Sequence, residues 1–591
     1  MINLPASVTL SSMKKNGSLE NLSREELIAM VKDLSQRRKF GLVWEDKPEE
    51  VAELCEEKLP VLKEVVERHI ERMANKQGGM PPCQRTRHSL LPDDGSNLPT
   101  HLIIEGDNYH SLFVLNYTHA GKVDVIYIDP PYNTGNKDFI YNDRYVDKED
   151  SYRHSKWLSF MEKRLVLAKN LLTESGVIFI SIDDNEQSHL RLLCDSIFGE
   201  ENFVFDIIRK TKSMTGDEGA GVNIQHEVVI CFAKNKSKVF LQGEQKEFDS
   251  YKNPDNDPKG DWTSGDPSAK SGGDSTYFPI HNPLTGEDEF PPKGRYWGFS
   301  KESCQEYIRT GKIVFKEKRK ASERGFIFKR YKNELRTNHN PVGSLFATDN
   351  EFMNQQGTRE LQAILDGNFF SNPKPVSLIK KLIQYSTNLF DKKSAVILDF
   401  FAGSGTTGHA VLELNASDGG HRQFILCTNN ENGIAENVTY PRIKKVIEGY
   451  GDKEGIPAEV RYFQTEFVEK DKEEGVTDAV LYEMVDRSTD MLKIRENTFT
   501  LVERKVNPRR RQLEIYTNVA KTKYTAVIYD TSAIEAAKSK IAAVVNGLPV
   551  AIYIFTLGDD SYDGDFDAPN WRVEPLPERI LQVYRRLFRK K

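Results

Sequence analysis

The stretch DVIYIDPPYNTG (124–135) sets a carboxylate, two prolines and an aromatic ring directly after Val125 to Ile128, an apolar run of buried-strand character. Neither proline has an N–H to donate, so the strand must end at Asp129. Asp129, the rigid Pro130-Pro131 backbone and the Tyr132 ring are thereby delivered together. This set suits the activation of an exocyclic amine on a planar heterocycle. Such a nitrogen is a poor nucleophile, because its lone pair is delocalised into the ring. A carboxylate and a fixed carbonyl that accept its two N–H bonds draw it toward tetrahedral geometry, while an aromatic ring stacks on the heterocycle. The group donor must lie in line with the nitrogen, so positioning supplies much of the rate.

A second candidate loop lies in AVILDFFAGSGTTGHA (395–410): a buried strand, Asp399, then Phe401-Ala-Gly403-Ser-Gly405-Thr406 before a helix. Gly403 and Gly405 permit a tight turn and close approach of backbone to a ligand. The loop lacks the G-K-[ST] ending of a phosphate-binding loop and is not G-x-G-x-x-G. Alone it would be an ordinary strand–helix turn. Asp183, Asp184 and Glu186 read as a solvated strand end with a helix cap, and no metal site is expected. Six cysteines lie far apart without a C-x-x-C pair, which suggests neither a disulfide framework nor a zinc cluster.

The elements that must hold these loops follow from the remaining pattern. A chain of 591 residues needs more than one core. Residues 1–76 are expected to be helical, with Val61, Leu62, Val65, Val66, Ile70 and Met73 at helical spacing, and a Gly/Pro-rich linker extends to 99. From His101 strands alternate with helices: HLIIE, DVIYI, a helix at 157–172, VIFISI and VVICFA. Residues 236–368 change texture, with short strands and many Gly, Pro, Asp and Asn residues. The α/β alternation then resumes at Pro375, and the last 120 or so residues add YTAVIYD, VAIYIFT and a terminal helix from Pro577. Alternation of this kind predicts a parallel sheet covered on both faces, with ligands beyond the carboxyl ends of its strands. A net charge of −6 argues against a uniformly basic surface and leaves room for a local basic groove. No leading apolar segment or membrane-length apolar run is evident, so a reducing cytoplasm is expected.

Together the two loops resemble the amino-group DNA methyltransferases of the β class, in which D-P-P-Y precedes F-x-G-x-G. DPPYNTGNKDFIYND, GVIFISIDDNE, HEVVICFAKN, NPKP (372–375) and LDFFAGSGTTGHA are similar to segments of the modification subunits of type III restriction systems and related site-specific adenine-N6 enzymes. The resemblance runs from about residue 100 to 450 and implies a Rossmann-like, S-adenosylmethionine-dependent sheet with circularly permuted motif order. It implies a helical N-terminal extension and linker (1–99), a catalytic half (100–235), an inserted target-recognition domain (236–368), a cofactor half (369–465) and a C-terminal α/β domain (466–591) for assembly or docking.

By the same resemblance Asp129, Pro130, Pro131 and Tyr132 form the catalytic loop. Phe401, Gly403, Gly405 and Thr406, with Asp399 leading into them, line the cofactor. Asp107 sits near the cofactor adenine, Lys374 begins the helix beneath its methionine end, and Glu431 accepts its ribose hydroxyls. An aspartate opening the loop goes mainly with adenine, so N6 methylation of an adenine flipped out of duplex DNA is expected, with cytosine-N4 methylation as the alternative. A non-catalytic specificity or assembly subunit is the reading from a different class. Sequence selection is expected from the insertion, where Lys316 to Lys332 holds eight basic and two acidic residues interleaved with Phe326, Phe328 and Tyr331. Lys316, Lys318, Arg319, Lys320, Lys329 and Arg330 are the candidate DNA contacts. The implied partners are double-stranded DNA, a second copy of the chain and a restriction (helicase/nuclease) subunit, in a prokaryotic host. The terminal helix, with Ile580, Leu581, Tyr584, Leu587 and Phe588 on one face, is a candidate for assembly or for packing on its own domain.

Overall fold

The computed structural model describes residues 44–72 and 98–589, apart from 137, 214–221, 321–322, 348–349, 368–369, 388–391, 472–475, 508–509 and 557–561. Residues 1–43 and 73–97, expected as helix and linker, lie outside the described residues. The chain divides into two compact units, Gln242–Val342 and the remainder.

The larger unit begins with α1 (Glu50–Glu57) and β1 (Lys58–Glu64). Val61 and Leu62, expected on a helix, are instead strand residues, Val66 falls in a single 3₁₀ turn and Ile70 in a three-residue strand. Leu59 to Leu62 are buried without alternation, so the period of two that marks a strand is absent from the sequence. β2 (Thr100–Glu105), α2 (Asn108–Thr118), β3 (Val123–Ile128), α3 (Arg153–Leu171), β4 (Leu172–Ile182), α4 (Gln187–Phe198), β5 (Phe203–Lys210) and β6 (His226–Ala233) follow.

The smaller unit is built on a three-stranded antiparallel sheet of β7 (Trp262–Ser264), β8 (Ile313–Phe315) and β9 (Phe326–Tyr331), with β9 in the middle and α5 (Lys301–Arg309) beside it. Its core gathers Phe278, Ile280, Trp297, Phe299, Ile313 and Phe326.

The chain then returns to the larger unit as β10 (Leu345–Phe346), α6 (Asn354–Leu365), α7 (Val376–Thr387), β11 (Val396–Asp399), α8 (Thr406–Asp418), β12 (Gln423–Thr428), α9 (Tyr440–Glu448), β13 (Ala458–Glu469) and α10 (Asp478–Glu496). The insertion is therefore shorter than the expected 236–368. Residues 343–368 belong to the larger unit, because β10 pairs with β5 in its sheet.

That sheet runs β1–β13–β2–β12–β11–β3–β4–β6–β5–β10. The six strands from β13 to β4 are parallel, whereas β6 is antiparallel to both its neighbours and β1 is antiparallel to β13. The sheet is mixed and not wholly parallel, since β5 and β6 are neighbours that run in opposite directions without a helical crossover between them. β11 and β3 are adjacent, with Ile397 opposite Val125 and Leu398 opposite Ile126. Two strands far apart in sequence thus present their following loops side by side.

A second sheet, β14 (Thr500–Asn507), β15 (Arg510–Thr517), β16 (Tyr524–Ile528), β17 (Val550–Phe555) and β18 (Trp571–Leu576), completes the fold with α11 (Ile534–Val545) and α12 (Glu578–Arg589). α10 packs on β1 and α2, and α12 packs on α2. No described helix is long and apolar enough to cross a membrane.

Candidate active site

Four parallel strands, β2, β12, β11 and β3, are neighbours in the sheet, and each is followed by one of the loops singled out from the sequence. Asp107 follows β2, Glu431 follows β12, Phe401 to Gly405 follow β11, and Asp129 to Tyr132 follow β3. Because the four strands run parallel, their carboxyl ends share one edge, which is where an open α/β sheet binds its ligands.

The catalytic-loop residues form a charged cluster. Asp129 accepts at Oδ1 from the Tyr132 hydroxyl, 2.9 Å away, and its Oδ2 lies 2.9 Å from Lys374 Nζ. Lys374 is buried and also donates to the Tyr132 hydroxyl at 2.9 Å. Its amine therefore reaches the catalytic loop, while its carbonyl accepts from Thr406 of the glycine loop. Glu227 Oε2 stands 3.1 Å from the same hydroxyl and 2.5 Å from the guanidinium of Arg209, which is fully buried. Burial alone would raise the Glu227 carboxyl, but Lys374 and Arg209 hold it down at about 2. Burial and the charges of Asp129 and Glu227 push the Tyr132 phenol well above its ordinary value, so it stays a neutral donor.

Beyond the charged cluster the loop is fixed by its neighbours. Trp157 Nε1 donates to the Pro131 carbonyl at 2.7 Å, while no donor among the described residues occupies the Pro130 carbonyl. Asn133 is fully buried, turns the chain at φ +56°, and donates to Glu186 Oε1 at 2.5 Å. Glu186 is itself fully buried and takes hydrogen bonds from His154 and His189. The expectation of a solvated strand end fails for this residue. α3 and α4 bring their first turns over it, and burial pushes its carboxyl up to about 7. Asp183 does cap locally, accepting from the Asn185 N–H.

The glycine loop is tied down from below. Gly403 and Gly405 sit at φ +50° and +78°, the left-handed region that glycine adopts without cost. Asp399 is buried and accepts from the Phe401 N–H at 3.0 Å and from Thr407 Oγ1 at 2.6 Å, so both its oxygens face the loop's own frame. Burial raises its carboxyl to about 7. Thr406 Oγ1 meets Arg442 and the Lys374 carbonyl, and Thr439 donates to the Gly403 carbonyl. Phe401 is half-buried. Asp107 caps α2 by accepting from the Tyr109 N–H, with Arg164 at 3.4 Å, and Glu431 is exposed in a 3₁₀ turn.

A family model described as DNA methylase matches residues 123–437, which span both loops and more than half of the chain. The chain belongs to the DNA methylase family. It is 36% identical over 391 residues to the type III restriction-modification enzyme StyLTI Mod subunit of Salmonella typhimurium, the match covering 61% of this chain and 57% of that relative. It is 34% identical to the EcoPI Mod subunit of Escherichia phage P1, over 56% of this chain and 57% of the relative. The type II methyltransferase M.KpnI of Klebsiella pneumoniae is 33% identical, and the match covers 60% of this chain and 85% of that protein. The matches thus span only a little over half the length of the Mod relatives.

Glu227, Arg209 and Trp157 are not singled out by the sequence, and Glu186 is read there only as a solvated cap. β6 is antiparallel, so its amino end brings Glu227 to the edge where the parallel strands end, opposite Arg209 on β5. The available signal was a charged His226-Glu227 pair opening an otherwise apolar strand.

The candidate DNA contacts divide. Lys318 and Lys320 are exposed, Lys316 pairs with Glu323, and Arg319 pairs with Glu287. Arg330 is exposed on β9. Lys329 is the correction: its side chain is buried and held 2.5 Å from Asp255 and 2.6 Å from Asp257, because its position on β9 turns it inward. Phe326 and Tyr331 are likewise buried and Phe328 packs against the same core, so these aromatics are not a stacking surface. On α12, Ile580, Leu581, Tyr584 and Leu587 are buried against the chain's own fold, and the Phe588 side chain lies outside the described residues. That face is closed to a partner.

Proposed function

We propose that this chain is a site-specific DNA methyltransferase that acts on the N6 amine of an adenine flipped from duplex DNA, with S-adenosylmethionine as donor. The observation that carries the reading is the adjacency of β3 and β11, which sets the Asp129–Tyr132 loop beside the glycine loop. S-adenosylmethionine supplies an electrophilic methyl group when bound. The residues present fit it: Gly403 holds a conformation that presents bare backbone, Phe401 offers a half-buried ring, and Asp107 and Glu431 supply acidic groups at neighbouring strand ends. An acid after a neighbouring strand is how nucleotide-binding sheets hold ribose hydroxyls.

The chain's own residues act on the base. Asp129 and the Pro130 carbonyl accept the two N–H bonds of the amine, and Tyr132 supports the base. Lys374 and Glu227 hold Asp129 and Tyr132 in place before the base arrives. Asp129 favours adenine over cytosine, by the resemblance to the β-class enzymes. Base flipping costs a few kcal/mol, which binding to the rest of the site must offset. The 242–342 unit is the proposed reader of sequence, with Lys316, Lys318, Arg319, Lys320 and Arg330 toward phosphates. The kinship with Mod subunits of type III restriction-modification enzymes supports work beside a restriction subunit; pairing of two copies and a prokaryotic cytoplasm are proposed from the resemblance to the β-class enzymes alone.

The test is transfer of tritiated methyl from S-adenosylmethionine to duplex DNA, followed by nucleoside analysis. Label in N6-methyladenine, absent with Asp129→Ala although that variant keeps cofactor affinity within about threefold, is the expected result. Label in N4-methylcytosine would reverse the base assignment, and cofactor-independent DNA binding without transfer would make the chain a specificity subunit.

A further inference from the structure

Outside the reacting cluster, His154, Glu186 and His189 converge on one point, with one ligand atom from each lying within 4.8 Å of the others. His154 comes from the first turn of α3, Glu186 caps α4, and His189 follows it by three residues on the same helix. The two imidazole Nδ1 atoms face opposite oxygens of one carboxylate, at 2.7 Å from Oε1 and 2.9 Å from Oε2. Both rings are partly open to solvent, whereas the carboxylate is fully buried.

We propose that these three side chains form a binding site for a divalent transition cation of the zinc type. Two imidazoles and one carboxylate are the donor set that such ions prefer, whereas magnesium and calcium demand oxygen ligands. Zn–N and Zn–O distances of about 2.0–2.2 Å separate neighbouring ligand atoms by roughly 3–3.5 Å, so side chains spread over as much as 4.8 Å draw together around the ion through rotation of the partly exposed rings. The ion replaces the two bridging protons. Each neutral imidazole moves its proton to Nε2, and Glu186 releases its own proton if it carries one. The Arg153 Nε contact to His154 Nε2, at 3.1 Å, gives way in the process. The partly exposed rings give the ion a path in, and water completes its shell.

A second observation points to an unmet partner here. Asn133, whose amide touches Glu186, is fully buried, and its Oδ1 has no hydrogen-bond partner. That oxygen is a spare acceptor beside the site, suited to a metal-bound water. Since Asn133 directly follows Tyr132, a cation on Glu186 would also stiffen the Asp129–Tyr132 loop. The site stands independently of the methyl-transfer reading.

The test uses full-length protein without an affinity tag, dialysed against Zn2+ and then against metal-free buffer, with zinc measured by mass spectrometry. About one Zn2+ per chain is expected in the wild type and much less than one in His189→Ala, a change at a partly exposed position that leaves the fold intact. Substitution by Co2+ should give visible absorption bands of a low-coordinate N/O site, which His189→Ala and Glu186→Gln lose. Wild-type protein that retains no zinc would overturn the proposal and leave a hydrogen-bonded triad only. Zinc retained equally by wild type, His189→Ala and Glu186→Gln would place the ion elsewhere and overturn it as well.

Discussion

Lys374 Nζ lies 2.9 Å from Asp129 Oδ2, although the two residues come from opposite halves of the sequence and from different motifs. The lysine is buried beside Tyr132 and Glu227, so it holds the carboxylate in position and must yield or shift when a base amine takes that oxygen. Lys374→Met should therefore lower kcat by about 10- to 100-fold with little change in S-adenosylmethionine affinity, since positioning losses appear in turnover. Stopped-flow methylation together with calorimetry separates the two. A large loss of cofactor affinity at normal kcat would return Lys374 to the role beneath the cofactor.

Gly403→Val should show the opposite signature. At φ +50° a side chain strains the turn by roughly 1–2 kcal/mol, and its Cβ would lie 3.4 Å from the Phe370 ring. A β-branched residue also covers the backbone meant for the ligand. Titration calorimetry should find S-adenosylmethionine affinity reduced at least tenfold, about 1.4 kcal/mol, while the Asp129 cluster is untouched. Unchanged affinity would dissociate this loop from the cofactor.

Both loops were legible in the sequence because their signals are local: a Pro-Pro that must end a strand, and glycines that must turn. What set them together was not. The adjacency of β3 and β11 follows from strand order, which one sequence does not print. Direction of strands mattered as much. VVICFA reads as a buried strand either way, but only in the antiparallel sense does Glu227 reach the site. At β1, burial on both faces hid the strand under an apparently helical spacing. On β9, inward and outward basic residues look alike in sequence, and only the distant Asp255 and Asp257 distinguish the buried Lys329 from a phosphate contact.

Asp399 predicts a pH dependence of stability. Its buried carboxyl has a folded pKa of about 7 against 3.8 for an exposed aspartate. The unfolded chain releases this proton first, so stability falls as pH rises above about 4 and the loss is complete once pH passes 7. Asp399→Asn keeps an acceptor for the Phe401 N–H, turns the Thr407 contact into one in which the amide donates to Oγ1, and removes the titration. Thermal melts from pH 5 to 8 should show a shallower decline for the variant, by on the order of 2 kcal/mol across the range. Parallel curves would mean that Asp399 ionises normally in the folded protein.

The insertion offers a contrast between surface and buried cations. Lys318→Ala, Arg319→Ala and Lys320→Ala combined should weaken duplex binding and reduce the log–log salt slope by about 0.9 for each phosphate no longer neutralised. Lys329→Ala should leave that slope alone and lower the melting temperature, since it removes the cation that Asp255 and Asp257 share. Fluorescence anisotropy over a salt series reads the first effect, and calorimetry the second. A slope change in Lys329→Ala with normal stability would put this residue back among the DNA-binding cations.

Tyr584 tests what the end of the chain does. Its ring meets Phe113 of α2 at 4.7 Å between centroids and its hydroxyl donates to the Pro60 carbonyl at 2.7 Å, so α12 is pinned across α2 to β1. Tyr584→Ala removes a fully buried ring from this junction and leaves the Pro60 carbonyl without its donor. Large-to-small changes of an aromatic core residue cost about 3–5 kcal/mol. The expected outcome is a clearly lower melting temperature at an unchanged mass by light scattering, because the apolar face of α12 is already covered within its own chain. A variant that melts normally but changes its oligomeric state would show instead that α12 joins two copies, and the packing argument for this helix would fall.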